Sequence, residues 1–258
     1  MKTAIPFLLA TLSAITLYAK PPVTDGESDP VMLDLDPYMI EALRGCTPDG
    51  RIGNEGRLGN EGRLGNEGSI IQLMKEPGFQ ELVKKHDLKL FNGPMLGSIA
   101  PTSAKVWIRT AGPATFYVQV GNLRSEEVRT TEASDYTGVA LVEGLKPYTE
   151  HQYAVVIDGK EINKDYFRFT TAPEPGQAAT LSITFGSGSR YVPKHEGIWR
   201  TMTTFKPMAY LGLGDNVYID VPQCQNAQRL HYYRRMLRQE YREIIASSGI
   251  YAIWDDHD

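Results

Sequence analysis

The chain has 258 residues, enough for one large domain or two modest ones. Hydrophobic residues make up 41% and charged residues 22%, an ordinary globular composition. The formal net charge of -4 gives no case for a nucleic-acid surface.

Met1-Lys2-Thr3 is a short positive start, Ala4 to Leu17 is mostly apolar, and Leu17-Tyr18-Ala19 resembles a cleavage site ahead of Lys20. Residues 1–19 therefore read as a secretory signal peptide, too short in its core for a confident membrane span. No later segment is apolar enough to cross a membrane, so the mature chain is expected outside the cytoplasm, secreted or periplasmic. The two cysteines, Cys46 and Cys224, are far apart and lack the short spacing of a zinc site; one disulfide and two unrelated thiols are equally open.

Residues 20–90 form an irregular and helical N-terminal region. Pro21-Pro22 and Asp25-Gly26 begin it irregularly, and Tyr38 to Leu43 suits a short helix. Gly50-Arg51-Ile52-Gly53-Asn54-Glu55 then recurs from Gly56 and again from Gly62. Two glycines per unit weaken helix and strand alike, so this repeat reads as an expanded surface insertion rather than a metal-binding or packing repeat. Ser69 to His86 looks helical on either side of a break at Pro77-Gly78.

Over residues 91–172 the apolar period changes to two. Ala104, Val106 and Ile108 alternate with Lys105, Trp107 and Arg109, and Phe116, Val118 and Val120 with Tyr117 and Gln119; Tyr153, Val155 and Ile157, then Phe167 and Phe169, recur at the same spacing. Gly112-Pro113, Gly144 to Pro147 and Asp158-Gly159 mark turns between them. Short strands at this spacing indicate an antiparallel sandwich, and Leu145 to Tyr153 resembles the turn-and-strand signature of fibronectin type III modules.

The stretch 173–180 reads as a linker. From 181 to 258 the order becomes strand, helix, strand, helix, strand: Leu181 to Phe185, Trp199 to Phe205, Met208 to Leu213, Arg229 to Ala246, and Ile250 to Trp254. This is α/β order, with helices expected to cover a buried sheet. Two acidic turns follow two of its strands, Gly214-Asp215-Asn216-Val217-Tyr218 and Asp255-Asp256-His257-Asp258. Carboxylates at the ends of buried strands are costly unless a cation meets them, and strand ends are where α/β domains bind ligands. Asp215 is the strongest candidate metal ligand, with Tyr218, Asp255 and Asp256 beside it. Asp256 and His257 are the candidate catalytic groups, His257 as a further ligand or as a proton donor to a leaving oxygen. Arg190, after Gly186-Ser187-Gly188-Ser189, and Asn216 are the candidate phosphate contacts. Each turn alone reads equally well as a surface loop; two in one small domain favour a site. Tyr232-Tyr233-Arg234-Arg235 either supports this site from a helix or forms a basic helix face. His195 and His231 read as surface or packing residues, and His86 and His151 have no assigned role.

Residues 91–258 resemble the first half of a PhoD-like alkaline phosphatase or phosphodiesterase. The matching stretches are Gly93 to Arg109, Leu145 to Tyr153, Ile183 to Ser189, Gly214 to Tyr218, and Trp254 to Asp258. The resemblance implies an immunoglobulin- or fibronectin-like β-sandwich followed by a truncated α/β calcineurin-like metallophosphatase domain. It also implies hydrolysis of small phosphate monoesters or diesters, with divalent or trivalent metals: calcium with iron, or zinc or manganese. On that pattern Asp215 and Tyr218 are metal ligands. Family members often carry a Ser-Cys pair after the first strand of this domain, where this chain has Ser187-Gly188. The alternative is an exported non-catalytic binding or adhesive module whose metallophosphatase-like half is degenerate or cut short. The abrupt stop after Asp258 reads as a partial sequence.

Overall fold

The computed structural model describes residues 31, 34, 35, 38, 39, 70–190, 196–219 and 225–258. The signal peptide, the glycine repeats, both cysteines and His195 lie outside the described residues.

Val31, Asp34, Leu35, Tyr38 and Met39 are helical, and Leu35 and Met39 are fully buried. The expected helix at 38–43 is thus described only at its first two residues. A 3-10 turn follows over Ile70–Lys75 and then α1, Pro77–Lys85. The break falls at Glu76, and Pro77 opens α1 rather than interrupting it. This suits proline, whose missing N–H costs nothing in a first helical turn.

Ten strands come next. They are β1 (Leu90–Gly97), β2 (Ser103–Thr110), β3 (Ala114–Val120), β4 (Leu123–Arg124), β5 (Val128–Thr130), β6 (Thr137–Glu143), β7 (Glu150–Gln152), β8 (Ala154–Ile157), β9 (Lys160–Ile162) and β10 (Arg168–Thr170). The period-two runs form β2, β3, β8 and β10. Asp158 and Gly159 turn β8 into β9 with φ of 47° and 77°, the left-handed pair that a two-residue hairpin requires. β1, β2 and β6 face the β4-β3-β8-β9 sheet across a core that includes Leu96, Val106, Phe116, Val118, Val155 and Phe167.

The remaining elements are β11 (Ile183–Gly186), α2 (Ile198–Thr203), β12 (Ala209–Leu213), α3 (Gln225–Leu237), α4 (Gln239–Ile245) and β13 (Gly249–Ile253). The helix expected over 229–246 is two helices, because Arg238 leaves helical geometry at ψ 127°. Strands β11, β12 and β13 are parallel, and β13 pairs parallel with β1 at Leu96 and Gly249. One six-stranded sheet, ordered β11-β12-β13-β1-β2-β6, therefore runs across the expected linker.

The strands β11 to β13 are not buried on both faces as the sequence suggested. Trp199, Tyr210, Met236, Tyr241, Ile244 and Ile245 build a core under the helices on one face. On the other, Ile183, Phe185, Leu213, Tyr251 and Ile253 are exposed. Trp254 lies beyond β13 and is 84% exposed, so the second acidic turn does not follow a buried strand end.

An aromatic chain ties the N-terminal helices to α3. Tyr38 meets Phe79, Phe79 meets Phe91 edge-on at 5.7 Å, and Phe91 meets Tyr233 edge-on at 5.5 Å. Arg109, wholly buried, lies 3.9 Å above the Tyr233 ring and donates to Asp135 Oδ1 at 2.8 Å. The Tyr233 hydroxyl also donates to Asp135, at 2.7 Å. Arg109→Met removes the buried cation from Asp135 and from the Tyr233 ring, leaving Asp135 to Tyr233 and Arg229, and should cost about 3 kcal/mol in denaturant unfolding. Unchanged stability would show that the cluster holds nothing together.

The phenols of α3 and α4 make stability fall in strong base. Burial, reinforced by the Asp258 charge, pushes Tyr232 from 10.0 up to about 12. Burial also raises Tyr233 and Tyr241 above their ordinary value. Each phenol therefore ionises first in the unfolded chain. Their stabilisation is complete below pH 10 and is lost as pH rises toward the folded values, by up to ~1.4 kcal/mol per pH unit for each group. Chemical denaturation between pH 9 and 12 should show this decline, less steep in Tyr232→Phe.

Candidate metal centre

Three turns at the C-terminal ends of the parallel strands build the site. After β12 the backbone turns left-handed at Gly214 (φ 93°) and Asp215 (φ 49°). Gly214 is required twice over: its φ suits glycine, and a Cβ there would sit 2.8 Å from Asp255 Cβ. Asp215 has no such freedom, so the turn holds it in a strained conformation of the kind that clusters at functional sites.

After β13 the chain turns through Asp255 to Asp258, with Asp258 N–H donating to Asp255 O at 3.1 Å. The Asp258 carboxylate then joins the two acidic turns. Its Oδ1 accepts the N–H groups of Asn216 at 2.8 Å and Val217 at 3.1 Å. Its Oδ2 accepts Asn216 Nδ2 and Asp255 N–H, both at 3.1 Å. The sequence assigned Asp258 no role; the signal for it was its place three residues after Asp255, at the far end of a tight turn.

Asp215, Asp256 and His257 come together, each offering one ligand atom, and these atoms all lie within 4.8 Å of one another. Asp215 is half-buried, Asp256 exposed and His257 half-buried. Tyr218 joins them: its hydroxyl donates to Asp215 Oδ2 at 3.1 Å, and its ring stacks on His257 with centroids 4.2 Å apart. Asp215 Oδ1 accepts the His257 N–H at 3.4 Å, and His257 Nε2 lies 3.9 Å from Asp256 Oδ2.

The other candidates are placed differently. Asp255, expected as a ligand, is outside this group; its Oδ1 accepts the Asp256 N–H at 3.0 Å, and its Cβ packs over Gly214. Both amide hydrogens of Asn216 are engaged, one by Ile253 O at 2.7 Å and one by Asp258. Arg190 is exposed on the turn after β11. Two of the N–H groups expected to face an anion there are already used, Ser189 by Asp215 O at 2.8 Å and Arg190 by Gly188 O at 3.0 Å. Gly188 has φ 66°, and a Cβ on it would lie 3.7 Å from the Tyr218 hydroxyl. The position without a cysteine thus faces the same cluster.

The donor set is two carboxylates and an imidazole, with a phenol alongside. Oxygen and nitrogen donors this close fit a hard or borderline cation with bonds of about 2.0–2.6 Å. Against thiol-seeking metals the set offers no sulfur at Gly188.

Comparison with known proteins locates the resemblance. A family model described as a domain of unknown function (DUF7800) matches residues 87–173, the stretch that contains β1 to β10. No curated protein matches the chain. A solved structure of PhoD is similar with a TM-score of 0.55 and 16% identity, over 66% of this chain and 40% of that one. The chain therefore spans well under half the length of that structure, and the likeness is one of fold. The sensor domain of the anti-sigma factor RsgI4 from Pseudobacteroides cellulosolvens matches 33% of this chain with a TM-score of 0.26 and 14% identity. The fold is thus a mixed α/β arrangement partly shared with PhoD, with an Asp/Asp/His group able in principle to coordinate a metal ion.

Gly214→Ala should break the site while sparing the cores. Both the left-handed φ and the contact with Asp255 oppose a methyl group, so the Asp215 and Asp255 turns must part. Loss of amide hydrogen-exchange protection at Asn216 and Val217, with β2 and β8 unchanged, is the expected result.

Proposed function

We propose that the chain carries part of an exported metal-dependent phosphoesterase of the calcineurin-like superfamily, acting on phosphate monoesters or diesters. The observation that carries this is the convergence of Asp215, Asp256 and His257 on one point, at strand ends of a sheet that shares its fold with PhoD. Asp215 and Asp256, with Tyr218 beside them, would hold the metal, and His257, next to them, is kept for proton transfer. Calcium with iron is the pair we favour, and zinc or manganese also suit the donors. A bound metal of this kind supplies an activated water and charge compensation for in-line displacement at phosphorus.

The chain's own residues do the rest. Asp215 orients Tyr218 through its hydroxyl and receives the His257 N–H, so the three move as a unit. His257 donates a proton to the leaving oxygen as the phosphorus–oxygen bond breaks. Arg190 is the phosphate contact in this reading, since both amide hydrogens of Asn216 are engaged. Asp255 acts by holding the turn rather than as a ligand. In this proposal residues 1–19 are a cleaved export signal, residues 91–172 the sandwich unit and residues 181–258 the partial catalytic unit. No helix among the described residues is long and apolar enough to cross a membrane.

A second reading is an exported binding or adhesive module with a degenerate site. Gly188, facing Tyr218 where related proteins carry a cysteine, is what favours it.

Metal analysis with assays on p-nitrophenyl phosphate and bis(p-nitrophenyl) phosphate separates the two. In Asp215→Asn, bound metal should fall and kcat drop by at least about 100-fold with the fold retained, as expected for a group acting in the transition state. Metal bound by the wild type without hydrolysis of either ester favours the binding module. Wild-type metal content and rates in the variant would make Asp215 only a turn residue.

A further inference from the structure

One buried arginine ties the turn that carries Asp215 to the turn after β11. Arg235, on α3, is 1% exposed. Its Nη1 donates to Ser189 Oγ at 3.0 Å, on the turn after β11, and to Asn216 O, on the turn after β12. Its Nη2 donates to Glu196 Oε1 at 3.3 Å, and Glu196, 3% exposed, also accepts the Trp199 indole N–H at 2.7 Å. Trp199 and Tyr241 flank the guanidinium at 5.6 and 5.9 Å. One planar fork thus reaches three separate segments.

Burying such a pair adds little stability over apolar side chains of similar size. What it adds is geometry, because a guanidinium donates only in its own plane and in fixed directions. The Asn216 peptide is held at both ends: its C=O by Arg235, its N–H by Asp258. Asp215, the residue before, has its C=O held by Ser189 N–H, while Arg235 holds the Ser189 hydroxyl. Of the three groups that fix the backbone around Asp215, Ser189 and the guanidinium itself depend on Arg235, and the Asp258 carboxylate is the third.

We infer that Arg235 is a positioning residue for the metal centre: through Ser189 and Asn216 it sets where Asp215 and Tyr218 present their oxygens. The inference rests on the metal reading above. It extends that reading from the ligands to the buried Arg235–Glu196 pair, which sets the metal affinity without touching the ion.

The test uses the whole 258-residue chain in wild type, Arg235→Gln, Arg235→Lys, Ser189→Ala, Asp215→Asn and Tyr153→Phe. Tyr153→Phe removes a different buried hydrogen bond, to Ala246 O, and serves as a control for general loosening. Manganese binding is measured by calorimetry, amide exchange at Asn216 and Val217 by NMR without metal, and Tm for each variant. Arg235→Gln should weaken manganese binding by about 10–100-fold, the range typical of groups that orient ligands. Exchange at the two amides should quicken, Arg235→Lys should fall between, and Tyr153→Phe should keep wild-type affinity even with a lower Tm. Wild-type affinity and exchange in Arg235→Gln overturn the inference. If Arg235→Gln does not fold, Ser189→Ala decides: weaker binding with faster exchange supports the inference, and no change in either overturns it. If Asp215→Asn binds manganese as tightly as wild type, the metal reading itself fails and the positioning role falls with it. If Asp215→Asn loses binding while Arg235→Gln keeps it, only the positioning role falls.

Discussion

Strand β1 is the constraint on which the rest of the molecule depends. Among the described residues it is the single strand that pairs antiparallel with the sandwich, through β2, and parallel with the α/β part, through β13. Two polar bonds fasten helices to its start: Asn92 Nδ2 donates to Tyr233 O at 3.1 Å, and Arg242 Nη2 donates to Phe91 O at 2.6 Å. Helices α3 and α4 are thereby fixed to the first half. Buried polar groups without partners are costly, so these bonds select one register of helix on strand rather than merely adding attraction.

The consequence reaches the metal centre through α3. Tyr233 and Arg235 are two residues apart, which places them on roughly opposite sides of a helix. Tyr233 faces Arg109 and Asp135 of the sandwich, while Arg235 faces the turns after β11 and β12. A rigid helix held on one side by the sandwich thus presents a fixed guanidinium to the site on the other. The sandwich acts as a foundation for the turns, although none of its strands contributes to the Asp215, Asp256 and His257 group.

The fold was legible in the sequence where one physical signal dominated. Alternating apolar residues marked β2, β3 and β8, because each has one face in the sandwich core. The helix break at Arg238 was not legible: it has no glycine or proline, and it exists because Leu230 and Leu237 pack toward the N-terminal helices while Tyr241, Ile244 and Ile245 pack under β12 and β13. The uncovered face of β11 to β13 was also hidden, since Ile183 and Phe185 look the same in sequence whether covered or bare. In the site, Asp215 and His257 were visible as acidic-turn chemistry after apolar strands. Asp255 lies outside the group that Asp256 joins, and adjacent carboxylates cannot be told apart without the turn that sends one outward. Asp258 binds backbone groups of a distant segment, and such a partner leaves no local pattern, whereas the run from Tyr232 to Arg235 offered support of the site from a helix as one of its two readings.

Those same facts explain how stability is distributed. Parallel strands ordinarily bury both faces, yet here β11 to β13 bury one, so this half gains less from apolar burial than the sandwich does. Its turns compensate with hydrogen bonds: five donors on the Asp258 carboxylate, and Ser189, Asn216 and Glu196 as acceptors of Arg235. Hydrogen bonds net far less per group than buried side chains, and the left-handed Asp215 works against them. Local opening is easiest where burial is least, so the turns that carry the candidate ligands belong to the weaker half of the molecule. A cation bound there would favour the closed turns by mass action, since only the closed form brings both carboxylates and the imidazole together.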